Sequence, residues 1–457
     1  MLAIPFGSPF NLQVGGFNFG PTEIVFGLMA LAWLGRGVIA RDLLNVRGRA
    51  ALGIRHAFPL IALPLAAWLF VLALTLLVTR SVPDSLKELV KWAEVLFIVL
   101  FVARTVERRH ILWLLALIFV AAAAESAVGL YQTLTNNGPA PFIVPLGGRL
   151  IMRSYGTFEQ PNPFAAYLNF TLPILASLLI GFVFERSEWQ SAGAGAGQAG
   201  SKRFPRLSPR GLCLLAAACL PLVGAAFFFS LSRGAWLGFA LAFVVITAFR
   251  SRRALMLFVV LAVVLAGTLI LGSLNILPAA IGDRIANIPT FLGLDLFDPR
   301  AVLLTNENFA LVDRMAHWFA AWSMFNAYPW LGVGIGNYGA VYSDFGLPEW
   351  PVSLGHAHNF YLNMLAETGL VGFSMYVALI GSTLAAAWSA ARRAAGVWRA
   401  LALGMLGALV ALAAHNFFDN LYVHGMNIQF GLLLGMAACL AARVPGTKAR
   451  SFEQTGL

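Results

Sequence analysis

Apolar runs of about 20 residues recur along this chain, and they restrict its fold more than any other feature. A helix of that length crosses the ~30 Å hydrocarbon layer of a bilayer. The chain is 59% hydrophobic and 11% charged, with a mean hydropathy of +0.78, whereas a soluble domain is about 25% charged. Because lipid offers no partner to a bare backbone amide, each run must be helical. The sequence therefore predicts an all-α polytopic membrane protein.

The hydropathy pattern predicts eleven spans, and most of the 31 lysines and arginines fall in loops on one side of them. The positive-inside rule assigns that side to the cytoplasm, which leaves the C-terminus inside and the N-terminus outside. Segment 1–20 is too short and too rich in Gly and Pro to span. Either it is an interfacial segment, or the true start of the protein lies upstream and a first helix is missing. A missing first helix would make twelve spans. The predicted spans are 21–40, 57–79, 86–104, 111–132, 162–184, 211–231, 233–249, 254–273, 370–390, 398–416 and 425–442.

Two connections are longer than this topology requires. The cytoplasmic loop 185–210 contains GAGAGQAG, which is typical of a flexible linker. The outside loop 274–357 is long enough to carry function or its own structure, and residues 313–326 within it predict an amphipathic helix. We therefore divide the chain into an N-terminal transmembrane bundle (1–273), this periplasmic loop (274–357), and C-terminal transmembrane helices with a short cytoplasmic tail (358–457).

Charge and cysteine content point away from two other kinds of protein. The net charge is +11, but the cations lie in short loops where they set topology, so we expect no nucleic-acid partner. The three cysteines all lie inside apolar spans and lack metal-ligand spacing. They predict neither a disulfide framework nor a metal centre.

Nine cations lie on the outer side, where the positive-inside rule disfavours them. Arg233 is the clearest case, because SLSRGAW stands between two apolar stretches with almost no loop. A guanidinium matches phosphate oxygens bidentately, which makes Arg233 a candidate anion clamp. The alternatives are snorkelling to lipid headgroups or marking a tight turn. The nine are Arg80, Lys87, Lys91, Arg149, Arg153, Arg233, Arg284, Arg300 and Arg314.

Three more of these arginines are candidates for binding. Arg314 opens the predicted loop helix, where it either clamps the same anion or forms a local salt bridge with Asp313 or Glu307. Arg149 and Arg153 flank a second outside loop, RLIMRSYGTFEQPNPFAAYL, whose second half signals a helix start. These two arginines contact acceptor or lipid, or are simple loop charges.

The histidines are also concentrated outside, and two of them directly precede a helix that enters the membrane. A neutral imidazole is a general base suited to pH near 7, and the residues alone do not rank His356 above His358. The H-x-H pair with His415 and Asp419 would be a metal site, but no carboxylate-rich ligand set accompanies it, so we expect no metal. Five of the seven histidines are outside: His317, His356, His358, His415 and His424.

Charged residues also occupy the first two turns of the third predicted span. Lys87, Lys91 and Glu94 share one helix face by their spacing. Intramembrane charges of this kind usually face the bundle interior, so they form an internal ion pair or line a polar headgroup path.

Several of these segments together resemble the O-antigen ligase family, which also includes many O-antigen polymerases. His358-Asn359, followed after nine residues by Gly369-x-x-Gly372, is similar to the family signature. SLSRGAWLG at 230–238 resembles the family's arginine at the head of a span, and YGTFEQPNPFAAYL at 155–168 its segment before a middle span. The resemblance covers about residues 85–435, including the long outside loop. Family members commonly have twelve spans with both ends inside, one more than we count.

The resemblance implies a metal-independent, GT-C-like glycosyltransferase of the bacterial inner membrane that needs no cofactor. Such enzymes take a glycan from undecaprenyl diphosphate on the periplasmic face. By that resemblance Arg233 and Arg314 hold the donor diphosphate and His358 activates the acceptor hydroxyl. The supporting candidates are His356, Arg153, Arg149, Asn359 and Lys91.

Two alternative functions accompany this prediction, one within the family and one outside it. Within the family, a ligase passes the glycan to lipid A–core, which we favour, whereas a polymerase passes it to another lipid-linked repeat. Outside the family, the rival is a lipid or polysaccharide flippase, which would show paired broken helices in two matching halves. The outer charges favour interfacial chemistry over transport, because they cluster at one face rather than at the midplane.

Overall fold

A computed structural model describes residues 61–146, 148–184, 207–250 and 308–442 without a gap, and shorter pieces within 12–35, 253–263 and 299–304. The predicted spans 21–40 and 254–273, and most of the linker 185–210, lie largely outside the described residues. The helices discussed below are α1 (Leu63–Leu74), α2 (Val82–Thr105), α3 (Arg108–Thr135), α4 (Pro161–Phe184), α5 (Pro209–Phe229), α6 (Arg233–Arg250), α7 (Phe309–Ala327), α8 (Tyr338–Phe345), α9 (Phe360–Arg393), α10 (Gly396–His415) and α11 (Met426–Ala442).

The predicted all-α membrane fold is confirmed. Six of the described helices are long and apolar enough to cross a membrane, namely α3 to α6, α9 and α10. Leu63–Leu77 and Met426–Ala441 are apolar but shorter. Two small antiparallel hairpins accompany the helices: β1 (Leu12–Val14) with β2 (Phe17–Phe19), and β3 (Ile143–Leu146) with β4 (Arg149–Met152).

Helix α10 packs between α4 and α6. Glycines allow the close approach of α6 to α10. A Cβ on Gly238 would lie 2.6 Å from the carbonyl oxygen of Ala411, and one on Gly234 would lie 2.9 Å from the His415 ring. The glycines of SLSRGAWLG are therefore a packing requirement of this helix pair.

Helix α9 begins at Phe360, ten residues before the predicted span, and is broken at Gly369. Gly369 has φ +61°, a left-handed conformation that glycine adopts without steric cost. The glycine-rich loop 329–336 fills the break with backbone hydrogen bonds. Leu370 N donates to Pro329 O (2.8 Å), Val333 N to Ala366 O (2.9 Å), and Gly334 N to Glu367 O (3.0 Å).

The same loop ends at Asn337, which ties α8 to the start of α2. The buried Asn337 Oδ1 accepts hydrogen bonds from the backbone N–H groups of Ser81 (2.6 Å) and Arg80 (3.1 Å). Its Nδ2 donates to Ser85 Oγ at 2.8 Å. The segment between α7 and α9 is therefore anchored to the bundle at two points.

We predict that Gly369→Ala destabilises the protein, whereas Gly381→Ala in the same helix does not. A Cβ at Gly369 would overlap the backbone of Trp330 and strain the left-handed φ, while one at Gly381 meets nothing within 4 Å. The Gly369 variant should lose about 1–3 kcal/mol of unfolding free energy. Thermal unfolding of both variants in detergent measures this. Equal melting temperatures would show that the break does not constrain the fold.

Candidate active site

Helices α4, α6 and α9 all begin at one end of the bundle, which we call the site end. Three contacts bring them together there. Ser154 N donates to Phe229 O (2.9 Å), and Phe360 N donates to Asn416 O (2.8 Å). Asn162 Nδ2 donates to Asp419 Oδ2 at 3.0 Å. Each helix N-terminus carries a partial positive charge, so this end of the bundle favours an anion before any side chain is counted.

A cleft of about 80 Å³ opens at the site end, and we call it the arginine cleft. It is lined by Arg153, Arg233, Arg314, Asn162, Leu231, Ser232, Gly234, His415 and Phe418. Three of these described residues are arginines and none is acidic. The two predicted clamps, Arg233 and Arg314, are thus brought together with a third guanidinium. Such a wall suits phosphate oxygens, which arginine binds bidentately.

Arg153 is held firmly in the wall of this cleft. It follows β4, and its Nε donates to the carbonyl oxygen of Ser230 at 2.7 Å. Its Nη2 donates to Asn162 Oδ1 at 3.0 Å. These two bonds set the guanidinium plane between the end of α5 and the start of α4.

A neutral amide links the cleft to the histidines. Asn162 accepts from Arg153 on one side and donates to Asp419 on the other. The Asp419 Oδ1 lies 3.5 Å from His358 Nδ1. Burial alone would raise the pKa of Asp419, but His358, His356 and Arg314 lower it more, so its pKa lies below the ordinary value. Asp419 is therefore a buried carboxylate facing the imidazole.

His358 sits in a sharp turn just before α9. Its φ of +51° is unusual for a residue with a side chain. Asn359 caps the helix, since its Oδ1 accepts from the N–H groups of Tyr361 (3.0 Å) and Leu362 (3.1 Å). The His358 side chain is 19% exposed and can meet a substrate. The motif His358-Asn359 thus combines a candidate base with the cap that fixes its position.

His356 and His317 are neutral neighbours of His358. His356 Nδ1 accepts from the His358 backbone N–H at 3.1 Å, and burial lowers the pKa of His356 to about 4. The buried His317 accepts from Leu354 N at its Nε2 (3.3 Å), and its Nδ1 lies 2.8 Å from Asp313 O. Burial also lowers the pKa of His317. Both rings support the loop around His358 rather than carrying charge.

The spacing of His356, His358 and Asp419 would also permit a metal ion, since one ligand atom from each lies within 4.8 Å of the others. The hydrogen bond that His356 Nδ1 accepts disfavours a metal ion there. His356 Nδ1 already accepts a backbone hydrogen bond, so the proton of the neutral ring is on Nε2. A metal would have to displace that bond or the proton. A metal ion at this cluster therefore requires the His356 ring to give up one of these two interactions.

The structure does not bring Arg149 or Lys91 into the arginine cleft. Arg149 is exposed at the start of β4. Lys91 Nζ lies 2.5 Å from Glu88 Oε1 and donates to the Tyr422 carbonyl oxygen at 3.1 Å. Lys91 thus forms an ion pair within α2, one of the two arrangements expected from the sequence.

The sequence does not predict a catalytic role for Asp419 or Asn162. From the sequence, Asp419 is a possible metal ligand and Asn162 is part of a helix start. One signal was available for Asp419, because no other Asp, Glu, Lys or Arg lies between Arg399 and Arg443. Asn162 carried no comparable signal, since asparagine before a helix is common.

The O-antigen ligase family model matches residues 216–377. That segment is thus similar to the O-antigen ligase family, the family that the sequence motifs resemble. The matched segment contains Arg233, Arg314 and His358, whereas Arg153, Asn162 and Asp419 lie outside it. A search of curated proteins finds no match for the chain.

We predict that His356 makes the protein less stable in acid. Its pKa is about 4 in the folded state against an ordinary 6.5, so the unfolded chain binds a proton first as pH falls. Its contribution to stability is complete above 6.5 and is lost towards 4. Melting temperatures should therefore fall less from about pH 7 to about pH 4.5 in His356→Gln than in the wild type. Parallel curves for the two proteins would contradict this.

Proposed function

We propose that this protein transfers a glycan en bloc from undecaprenyl diphosphate to an acceptor hydroxyl on the periplasmic face of the inner membrane. The acceptor we favour is lipid A–core, which makes the protein an O-antigen ligase. One observation carries the proposal: the arginine cleft is joined through Asn162 and Asp419 to His358. An anion site and a candidate base thus belong to one connected arrangement.

The arginine cleft is proposed to hold the donor diphosphate. Arg153, Arg233 and Arg314 line it, and α4 and α6 begin at its wall. Negative charge develops on the diphosphate oxygen as the glycosidic bond breaks. Fixed cations and helix N-termini placed there stabilise that charge without reorganising during the reaction.

His358 is proposed to act as the general base. Its Nδ1 faces the Asp419 carboxylate, which leaves Nε2 to accept the proton of the acceptor hydroxyl. The acceptor oxygen then bonds to the anomeric carbon while the bond from that carbon to the diphosphate oxygen breaks. The leaving diphosphate takes the electron pair, and the configuration inverts. Asp419 stabilises the imidazolium that results, as in other His–Asp pairs.

No cofactor or metal is required in this scheme. The three guanidinium groups provide the positive charge that a metal would otherwise supply to a diphosphate. His356 Nδ1 accepts a backbone hydrogen bond in this scheme, so His356 need not bind a metal. The partners are the lipid-linked donor, the glycan or lipid acceptor, and membrane lipids.

The direct test is a transfer assay with purified protein, undecaprenyl-diphosphate glycan and lipid A–core, measuring released undecaprenyl diphosphate. We expect His358→Ala to lower kcat about 10²–10⁴-fold, the usual contribution of a general base. Arg233→Ala should lower it about 10²-fold or more through lost charge stabilisation. Arg149→Ala, an exposed arginine outside the cleft, is the matched control and should retain activity.

The products of that assay separate the alternatives. A lipid-linked ladder in place of one transfer to core would identify a polymerase of the same family. Full activity in both His358→Ala and Arg233→Ala would contradict the roles proposed for these two residues, whereas no transfer by the wild type would favour a transport function.

A second prediction concerns the amide link. Asn162→Ala and Asp419→Asn should each lower kcat about tenfold or more, and the double variant should lose less than the product, because both act on His358 through one chain of contacts. Asn169→Ala is the control. It removes a buried amide from the same helix, where Asn169 Nδ2 donates to Ala235 O at 3.0 Å. Multiplicative losses would show that Asn162 and Asp419 act independently.

A further inference from the structure

One face of α3 holds the loop that connects β4 to α4. Arg153 opens this loop, and Asn162 follows it in the first turn of α4, so the positions of both cleft residues depend on the path of the loop. The side chains of α3 that grip the loop are spaced seven and eight residues apart, which places them on one helix face. They are Glu125, Gln132 and Thr133.

Gln132 bonds the turn of the loop with both ends of its amide. Its Oε1 accepts from the backbone N–H groups of Gly156 (2.9 Å) and Tyr155 (3.3 Å). Its Nε2 donates to the Gly156 carbonyl oxygen at 2.7 Å. Gly156 has φ +58°, and a Cβ there would lie 2.5 Å from Glu125 Oε2, so the turn lies directly against α3. One side chain thus satisfies three backbone groups of this turn.

Two further side chains of α3 hold the residues on either side of the turn. Thr133 Oγ1 lies 2.7 Å from Ser154 Oγ, and both residues are buried. The buried Glu125 accepts twice from Thr157, from its N–H at Oε2 (3.0 Å) and from its hydroxyl at Oε1 (3.1 Å). The backbone that carries Arg153 is therefore fixed to α3 over the four residues that follow it.

We propose that Gln132 is a positioning residue for donor binding, which sets the Arg153 guanidinium in the arginine cleft through the turn that it holds. The inference rests on the proposed function, because it takes the cleft to bind the donor diphosphate. Arg233 and Arg314 stand on helices α6 and α7, whereas Arg153 stands on a loop. A loop holds a functional group less precisely than a helix unless neighbouring residues fix it. Gln132 is not among the residues that line the cleft, so it acts through the turn and without touching the donor.

The test is Gln132→Ala in the full-length protein, with undecaprenyl-diphosphate glycan as donor. Misplacing a binding group by about 1 Å can cost about 10²-fold in rate, so we expect kcat/KM for the donor to fall about tenfold or more while KM for the acceptor stays unchanged. Thr135→Ala is the matched control, because this exposed hydroxyl on the same helix donates to Tyr131 O within α3 and should be dispensable. If Gln132→Ala does not fold, Thr133→Val serves instead, since it removes the bond to Ser154 and should give the same selective loss.

The decisive comparison repeats Gln132→Ala in an Arg153→Ala background. If Gln132 acts through Arg153, it should change kcat/KM for the donor by less than about twofold once that guanidinium is gone. A purely structural role would lower activity by the same factor in both backgrounds and would overturn the proposal. A matching rise in KM for the acceptor, or an unchanged kcat/KM for the donor in the single variant, would also overturn it. Absent transfer by the wild type is a different result, because it refutes the proposed function and this inference with it.

Discussion

A broken helix inside an apolar bundle needs partners for its exposed backbone groups, and the rest of this site depends on how that need is met. At Gly369 the partners are the backbone groups of loop 329–336. An unpaired amide or carbonyl there would cost several kcal/mol in hydrocarbon. Loop 329–336 follows α7 and docks into the break of α9, which holds these two helices together. Arg314 of α7 consequently shares a cleft with Arg233 of α6. It also fixes the start of α9, where His358 stands.

The second constraint is the separation of charge. Three arginines and a buried carboxylate lie close together, and a direct salt bridge would neutralise both. Asn162 stands between Arg153 and this carboxylate, accepting from Arg153 at 3.0 Å and donating to Asp419 at 3.0 Å. Its amide satisfies both groups without adding charge. A neutral group thus joins the arginine cleft to the carboxylate that faces the imidazole of His358.

The sequence predicted what depends on neighbouring residues and missed what depends on tertiary contact. Apolar length is a local property, so the six described helices that can cross a membrane all fall on predicted spans, and Arg233 is conspicuous because it stands between two of them. The break at Gly369 was read as the start of a span, since hydropathy does not register the docked turn before it. Arg153 and Asp419 are far apart in sequence, and only folding joins them through Asn162. The preference for His358 came from family spacing alone; the structure adds Asp419 beside it.

The segment from Ser232 to Trp236 shows why an arginine is found at such a tight turn. Snorkelling or marking the turn would explain Arg233 by itself, but the neighbouring residues have separate structural demands. Gly234 admits the His415 ring of α10, Ser232 Oγ lies 3.5 Å from His415 Nε2, and Trp236 closes over Phe228. One turn of helix thus packs against α10 and borders the arginine cleft. A residue that only marked a turn would not need to line that cleft, so its position there favours the proposed role of Arg233 in binding an anion.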